Sequence, residues 1–247
     1  MTEKIATQRV SLDVSDGTTM NAYVARPAEA GQFPGMLVLQ EAFGVNVHIR
    51  DITERIAREG YVAIAPELFH RTGPGFEGRY DDFPAVMPHM QGLTEQGQIA
   101  DMRAAYDWLR THNQVTAERI ASIGFCMGGR ASFLADAILP LQASVSFYGG
   151  GIAQQYLHHA AKMHAPILLF WGGLDQHILA EHRHAVVEAL TKAEKQFVNV
   201  LVSYADHGFF CDARASYNAA AAGLAWALTR QFLDTYVKGS AAKASAG

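Results

Sequence analysis

The sequence predicts an α/β protein with a mainly parallel, doubly wound sheet of about eight strands flanked by helices. Short apolar runs without a polar face, such as residues 35–40 and 166–171, are typical of strands covered on both sides. Amphipathic helical segments separate these runs, and strands that alternate with helices favour a parallel sheet. Since no internal repeat or linker divides the 247 residues, one domain is expected over residues 1–247.

Each strand is predicted from its residue pattern. Residues 5–14 and 20–25 alternate between apolar and polar residues on either side of a turn at residues 16–17. The other six strands are short buried runs, predicted at residues 35–40, 61–65, 119–125, 143–148, 166–171 and 197–204.

Helices are predicted between the strands from apolar residues at helical spacing. Residues 48–59 carry Ile49, Ile52 and Ile56 on one face and end before Gly60, a suitable C-terminal glycine. Further helices are predicted at residues 99–112, 128–138 and 180–193, and residues 213–237 are expected to close the chain as one or two helices.

Two segments fall outside this alternation. Residues 67–98 contain Pro74, Pro84 and Pro88 together with several glycines and mixed charges, which predicts a long excursion with short helical pieces. Excursions of this length are often functional. Residues 238–247 contain only Gly, Ser, Ala and Lys, and they are expected to form a flexible tail.

The composition excludes several classes of function. A net charge of −4 gives no basic surface for nucleic acid or anionic membrane. There is neither an apolar run near the ~20 residues of a membrane helix nor a signal peptide, so a cytoplasmic location is expected. Cys126 and Cys211 are too few for a cysteine-rich metal site and are interpreted as free thiols. His182 and His184 are spaced wrongly for a helical metal pair, and no metal or other cofactor is predicted.

The strongest functional signal is the segment Gly124-Phe125-Cys126-Met127-Gly128, in which a buried strand meets Gly-x-Cys-x-Gly and a helix follows. This pattern is a nucleophile elbow with cysteine as the nucleophile. Both glycines are expected because side chains two positions either side would collide in so sharp a turn. The helix N-terminus favours a Cys126 thiolate, and the Met127 amide is predicted to stabilise an oxyanion. The alternative is a buried cysteine beside a tight turn.

Partners for this cysteine follow in the chain order that an elbow nucleophile requires. Asp175 comes just after the strand at residues 166–171, and His207 comes just after the strand at residues 197–204. His207 is predicted to hold the thiolate and later activate water, while Asp175 fixes its tautomer. Asp206 is the competitor for this second role, but an immediate neighbour of His207 points elsewhere along the chain.

The segment 40–46, Gln-Glu-Ala-Phe-Gly-Val-Asn, follows a predicted central strand. The Ala42 amide is the candidate for a second oxyanion donor. A buried carboxylate such as Glu41 is costly unless it is paired. Glu41 is therefore expected either to pair with an arginine at the sheet edge or to hold or receive the Cys126 proton.

Together, the motifs at residues 40–46, 124–129, 172–175 and 206–209 resemble the dienelactone hydrolase family over nearly the whole chain, from about residue 9 to residue 232. The resemblance implies the α/β-hydrolase fold without a large lid domain, and a Cys126–His207–Asp175 triad. It also implies that Glu41 switches the Cys126 thiol to thiolate when substrate binds. It further implies attack on an enol-lactone carbonyl and hydrolysis of an acyl-enzyme, without a metal or organic cofactor.

One position departs from the family pattern. Characterised lactone hydrolases carry a substrate-binding arginine four residues past the catalytic histidine, where this chain has Cys211. Arg214 could replace it only if the local backbone differs. A second substrate arginine is expected in the long excursion, with Arg79 as the candidate and Arg71 as the alternative. Further expected substrate contacts are Phe43, Tyr148 and Phe209.

Two other functions fit the same residues. A broader carboxylesterase or thioesterase would share the triad but act on neutral substrates. A non-catalytic or redox-sensing α/β domain would use Cys126 as an oxidisable thiol at a helix N-terminus. The expected partner is a small lactone or ester rather than nucleic acid or membrane, and a monomer or small homo-oligomer is expected.

Overall fold

The computed structural model describes residues 4–239, in which eight strands form one sheet with the order β1-β2-β4-β3-β5-β6-β7-β8. The strands are β1 (Ile5–Asp13), β2 (Thr19–Pro27), β3 (Phe33–Leu39), β4 (Val62–Pro66), β5 (Val115–Phe125), β6 (Ala143–Phe147), β7 (Ile167–Gly172) and β8 (Phe197–Val202). The pairs β1–β2 and β2–β4 are antiparallel, and the other five pairs are parallel. The predicted mainly parallel sheet of eight strands is therefore confirmed.

Six α-helices accompany the sheet within the described residues. They are α1 (Val47–Arg58), α2 (Phe83–Gly92), α3 (Glu95–Thr111), α4 (Met127–Ile138), α5 (Ala180–Lys192) and α6 (Ala219–Tyr236). Gly60 follows α1 with φ +84°, as a C-terminal glycine should. A π-helical turn over Ile152–Tyr156 and a 3-10 helix over Leu157–Lys162 were not expected from the sequence.

Two helices begin four or more residues from their predicted starts, because polar side chains cap them. The Thr94 hydroxyl accepts a hydrogen bond from the Gly97 amide at 3.0 Å, so α3 begins four residues before the predicted residue 99. The Asn218 side chain accepts from the Ala221 amide at 3.0 Å, so α6 begins at residue 219. Residues 213–218, predicted as helical, instead form turns.

Burial of the central strands fixes the edge of the sheet at which β3, β5 and β7 end. Every residue of β4, β6 and β7 is buried, and one large apolar cluster includes side chains from the sheet and its flanking helices. Each buried Leu, Ile, Val or Phe side chain contributes about 1.5–3 kcal/mol of burial free energy. The loops that follow β3, β5 and β7 therefore begin from fixed positions.

The backbone at Cys126 has the sharp bend that the elbow pattern predicts. Its φ of +54° lies in the left-handed region, which is unfavourable for a residue with a side chain. A Cβ atom on Gly124 would overlap the carbonyl oxygen of Gly128, and one on Gly128 would overlap the carbonyl oxygen of Leu39. Both glycines are thus required by close backbone approach.

The end of the described chain is anchored. Lys238 lies 3.0 Å from Asp234 and places its ammonium 5.0 Å from the centre of the Tyr61 ring. Lys238 and Gly239 are the described residues of the predicted flexible tail, and residues 240–247 lie outside the described residues, so the flexible tail stays a prediction. Across residues 4–239, no helix combines the length and apolar character needed to cross a bilayer.

Replacement of an elbow glycine tests this packing. Gly128→Ala is expected to lower the free energy of unfolding by about 1–3 kcal/mol or more, because the new methyl group meets backbone that cannot rotate away. The control is Gly223→Ala in α6, where a Cβ meets nothing within 4 Å and the free energy should rise by up to about 1 kcal/mol. Urea unfolding measures both; equal effects would contradict the close approach at the elbow.

Candidate active site

Cys126, His207 and Asp175 come together at the carboxyl ends of β5, β8 and β7. His207 Nε2 lies 3.1 Å from Cys126 Sγ, and His207 Nδ1 lies 2.7 Å from Asp175 Oδ2. Asp206, the competing carboxylate, accepts a hydrogen bond from the His207 backbone amide at 2.6 Å. The carboxylate that contacts the imidazole is therefore that of Asp175.

The Asp175 carboxylate is itself held in place. Its Oδ1 accepts hydrogen bonds from the backbone amides of His177 at 2.7 Å and Ile178 at 3.1 Å, which leaves Oδ2 for the imidazole. A carboxylate fixed in this way keeps the proton of His207 on Nδ1 and directs Nε2 at the sulfur.

The electrostatics of this group favour a thiolate and an imidazolium. Burial would raise the pKa of the Cys126 thiol, but the charge and hydrogen bond of His207 outweigh it and lower that pKa. Burial would lower the pKa of His207, but the interactions with Cys126 and Asp175 raise it instead. For Asp175, burial opposes the effect of His207, and the net result is a lowered pKa.

Two backbone amides are available beside the sulfur. Met127 is the first residue of α4, so its amide has no carbonyl partner within the helix. Ala42 follows β3 and is almost fully buried. Both residues line the same cleft as Cys126, which suits the predicted oxyanion donors.

The cleft above Cys126 has a volume of about 380 Å³, which is in the range of small-molecule sites. Its apolar lining includes Phe43, Tyr80, Phe83 and Met90, and its polar lining includes Arg130, His177 and Arg214. Tyr80, Arg130 and His177 were not among the sequence candidates. Arg130 lies in the first turn of the helix after the elbow, so the elbow motif itself was a signal for it, whereas no pattern in the excursion indicated Tyr80.

Arg214 is the arginine that reaches Glu41. Its Nη1 lies 3.4 Å from Glu41 Oε1, and its guanidinium lies 5.8 Å from the ring centres of both Phe43 and Tyr80. Consecutive turns, with Arg214 N donating to Cys211 O at 3.1 Å, bring it back to the cleft. The local backbone thus places Arg214 where the arginine missing at position 211 was expected.

The arginines predicted in the excursion lie elsewhere. The Arg79 side chain is 77% exposed, pairs with Asp81 at 2.7 Å and is not among the residues that line the cleft. Arg71 pairs with Asp101 at 2.8 Å and with Asp16. Of the arginines considered from the sequence, the one that lines the cleft is therefore Arg214 and not Arg79, because the excursion turns Arg79 towards solvent.

The three aromatic candidates separate into two groups. Phe43 lines the cleft, as predicted. Tyr148 is fully buried, with its ring centre 5.1 Å from that of His207 and 5.4 Å from that of Phe209, which is also fully buried. Tyr148 and Phe209 therefore pack behind the imidazole and do not line the substrate cleft.

Two groups of described side chains have donor atoms close enough together to hold a metal ion. They are Glu41, His48 and Cys211, all buried, and Glu95, His158 and His159 near the surface. Neither group includes His182 or His184. Neither group has a spacing in the sequence that is typical of a metal site, so the sequence did not indicate them.

Alkylation distinguishes the two cysteines. Cys126 is partly exposed with a lowered pKa, whereas Cys211 is buried and its pKa is raised to about 11 by burial and by Glu41. Iodoacetamide is expected to label Cys126 much faster, because the thiolate is the nucleophile. The rate should fall only as pH drops through the lowered pKa of Cys126. His207→Ala removes the main cause of the lowering and should move the profile to higher pH.

Mass spectrometry of the two cysteine peptides measures these rates. Equal slow labelling of both cysteines, or a profile that His207→Ala leaves in place, would contradict the thiolate–imidazolium pair.

The comparison with known proteins agrees with this geometry. The model of the dienelactone hydrolase family matches residues 20–237. A candidate carboxymethylenebutenolidase of Synechocystis sp. is 37% identical, covering 96% of this chain and 100% of the relative, and one of Escherichia coli K12 is 35% identical, covering 90% and 84%. The crystal structure of a candidate dienelactone hydrolase from Klebsiella pneumoniae superposes with a TM-score of 0.85 at 31% identity, covering 96% of this chain and 99% of that chain. The chain therefore belongs to the dienelactone hydrolase family, a family of ester and lactone hydrolases with the α/β-hydrolase fold.

Proposed function

We propose that the chain hydrolyses small esters or lactones that carry a carboxylate, through an acyl-cysteine formed on Cys126. The observation that supports this most directly is the 3.1 Å contact between Cys126 Sγ and His207 Nε2 inside a cleft of small-molecule size. The carboxymethylenebutenolidase names of the Synechocystis and Escherichia coli relatives suggest an enol-lactone as the substrate.

The first half-reaction acylates the cysteine. The Cys126 thiolate attacks the carbonyl carbon, a C–S bond forms, and the carbonyl electrons move to oxygen, where the Met127 and Ala42 amides stabilise the charge. When the tetrahedral intermediate collapses, the C–O bond breaks and the leaving oxygen takes the proton from His207 Nε2. An enol-lactone ring opens at this step and stays attached as the acyl group.

The second half-reaction restores the cysteine. His207, now neutral, takes a proton from water as the water attacks the thioester carbon. The C–S bond then breaks, the acid product leaves, and the Cys126 thiolate reforms beside the imidazolium. Asp175 keeps the imidazole oriented through both halves.

The charge in the cleft supports an anionic substrate. The Arg214 side chain is 21% exposed, and its contact with Glu41 is long at 3.4 Å. Its guanidinium can therefore donate hydrogen bonds to a second carboxylate. Arg130 also lines the cleft, and its buried Nε has no hydrogen-bond partner among the described residues. The guanidinium of Arg214, with a second arginine in the lining of the same small cleft, favours a carboxylate-bearing substrate over a neutral one.

Glu41 and Arg214 are proposed to set the charge state of Cys126. Glu41 acts to raise the pKa of the Cys126 thiol, and Arg214 acts to lower it. A substrate carboxylate bound at Arg214 would compete with Glu41 for the guanidinium. The coupling between Glu41 and Cys126 that the family resemblance implies would then depend on whether substrate is bound.

A neutral-ester hydrolase is the second candidate function. It is favoured by the apolar part of the cleft, formed by Phe43, Phe83 and Met90. Such a wall binds an acyl or alkyl group without any requirement for charge. The preference between anionic and neutral esters separates the two functions.

Loss of the imidazole tests the mechanism. His207→Ala is expected to lower kcat by roughly 10²–10⁴-fold, because both proton transfers lose their donor and acceptor. The control is His184→Ala, an exposed histidine on α5, which should stay within about twofold of the parent. Steady-state hydrolysis of p-nitrophenyl acetate measures both; a His207→Ala enzyme as active as the control would remove His207 from the reaction.

Loss of the cleft guanidinium tests the substrate class. Arg214→Gln is expected to lower the ratio of kcat/KM for a carboxylate-bearing ester to kcat/KM for its neutral analogue by about 10–100-fold, the effect of one charge-assisted hydrogen bond. The ratio corrects for any effect of leaving Glu41 unpaired. The matched control, Arg79→Gln, removes an exposed arginine outside the cleft and should leave the ratio unchanged. An unchanged ratio in Arg214→Gln would favour the neutral-ester function.

A further inference from the structure

Glu41, His48 and Cys211 form a buried cluster next to the proposed active site, and no step of the hydrolysis uses His48 or Cys211. One donor atom from each residue lies within 4.8 Å of the other two. All three residues are buried, and the His48 side chain is only 1% exposed. The donors are a carboxylate oxygen, an imidazole nitrogen and a sulfur.

Several of these polar atoms lack a hydrogen-bond partner within residues 4–239. Both ring nitrogens of His48 and the Oε2 atom of Glu41 are buried without a hydrogen-bond partner among the described residues. The contact of His48 Nδ1 with Asp212 Oδ1, at 3.8 Å, is too long for a hydrogen bond. A buried polar atom without a partner is costly, and an ion or water is the usual explanation when one is found.

Three separate segments fix the cluster. Glu41 follows β3, His48 is the second residue of α1, and Cys211 lies in a turn in which its amide donates to Gly208 O at 3.0 Å. The Cys211 thiol also donates to the Tyr80 hydroxyl at 3.2 Å. Donors held by separate, fixed elements lose little freedom when a ligand binds.

We propose that Glu41, His48 and Cys211 bind one divalent cation of the zinc class. Oxygen, nitrogen and sulfur donors are the ligands of Zn²⁺, whereas Ca²⁺ and Mg²⁺ prefer oxygen alone. Zinc bonds of about 2.0–2.3 Å require the donor atoms to close by about an ångström. The Tyr80 hydroxyl lies 3.2 Å from the Cys211 sulfur, so a further oxygen is close to this donor.

The surroundings of His48 provide a route for the cation. His48 lines a surface cleft together with the acidic residues Asp51, Glu77 and Asp212. Three carboxylates share two arginines there, since Arg55 pairs with Asp51 and Asp212 and Arg50 pairs with Glu77. Acidic groups at the mouth of a cleft raise the local concentration of cations.

Two charges inside the site affect the binding. Arg214 contacts Glu41 Oε1 and leaves Oε2 for the cation, although its own positive charge weakens the binding. When the cation binds sulfur, the Cys211 thiol becomes a thiolate and its proton passes to solvent.

Titration with Co²⁺ tests the site, because thiolate-to-cobalt charge transfer reports a sulfur ligand and intense visible bands report tetrahedral geometry. The wild-type chain is expected to develop both signals at one equivalent and to lose them when Zn²⁺ is added. Since the chain has only two cysteines, the variants identify the sulfur. Cys126→Ser should keep the charge-transfer band, Cys211→Ser should lose it, and His48→Gln should weaken Co²⁺ binding at least tenfold.

The opposite results would overturn the site. If the wild type shows no charge-transfer band, neither cysteine binds the cation. If the band survives Cys211→Ser and disappears in Cys126→Ser, the cation binds at Cys126 and not at the proposed site. If circular dichroism shows that Cys211→Ser does not fold, Cys126→Ser and His48→Gln decide the question on the same criteria.

One consequence rests on the proposed function. Because the cation would neutralise Glu41, whose charge raises the pKa of the Cys126 thiol, Zn²⁺ at concentrations that fill the site should move the acidic limb of the pH profile of ester hydrolysis by the wild type to lower pH. The cobalt spectrum needs no turnover, so failure of the metal site and failure of the proposed hydrolysis give different results.

Discussion

The 3.1 Å contact between Cys126 Sγ and His207 Nε2 is the interaction on which the proposed chemistry depends, and the backbone bend at Cys126 makes it possible. A residue with φ +54° between a buried strand and a helix turns its side chain out of the packed sheet. The bend brings Gly128 against the carbonyl of Leu39, so the elbow is fixed to β3 as well as to its own strand. That packing brings the sulfur and the residues after β3 into one site.

A balance of charges decides the state of the sulfur. His207 and Arg214 lower the pKa of the Cys126 thiol, while burial and Glu41 raise it. Because Glu41 has a carboxylate oxygen with no hydrogen-bond partner in the described part of the chain, its effect on this pKa can be changed by a ligand that binds beside it. A substrate carboxylate bound at Arg214 and a cation bound at Glu41 would both change the charges that set the pKa of the Cys126 thiol. Arg214 contacts Oε1 of Glu41, whereas the cation would bind Oε2.

The sequence was sufficient to predict features whose signal lies in consecutive residues or in chain order. The elbow follows from five consecutive residues, and the positions of Asp175 and His207 follow from chain order at strand ends. The sequence was insufficient where the chain turns back on itself: Arg214 reaches Glu41 through turns that residues 213–218 were not expected to form, and the 67–98 excursion exposes Arg79. His48 looked like an ordinary residue of an amphipathic helix, because only the folded chain brings it beside Cys211.

The nucleophilic role of Cys126 is tested most directly by mass spectrometry of the enzyme quenched in acid during a single turnover of p-nitrophenyl acetate, with enzyme in excess. The expected result is one acetyl group on the peptide that contains Cys126, formed and lost at rates consistent with turnover and absent in Cys126→Ala. Turnover without an acetyl adduct on that peptide, or with the acetyl group on another residue, would contradict nucleophilic catalysis by this cysteine.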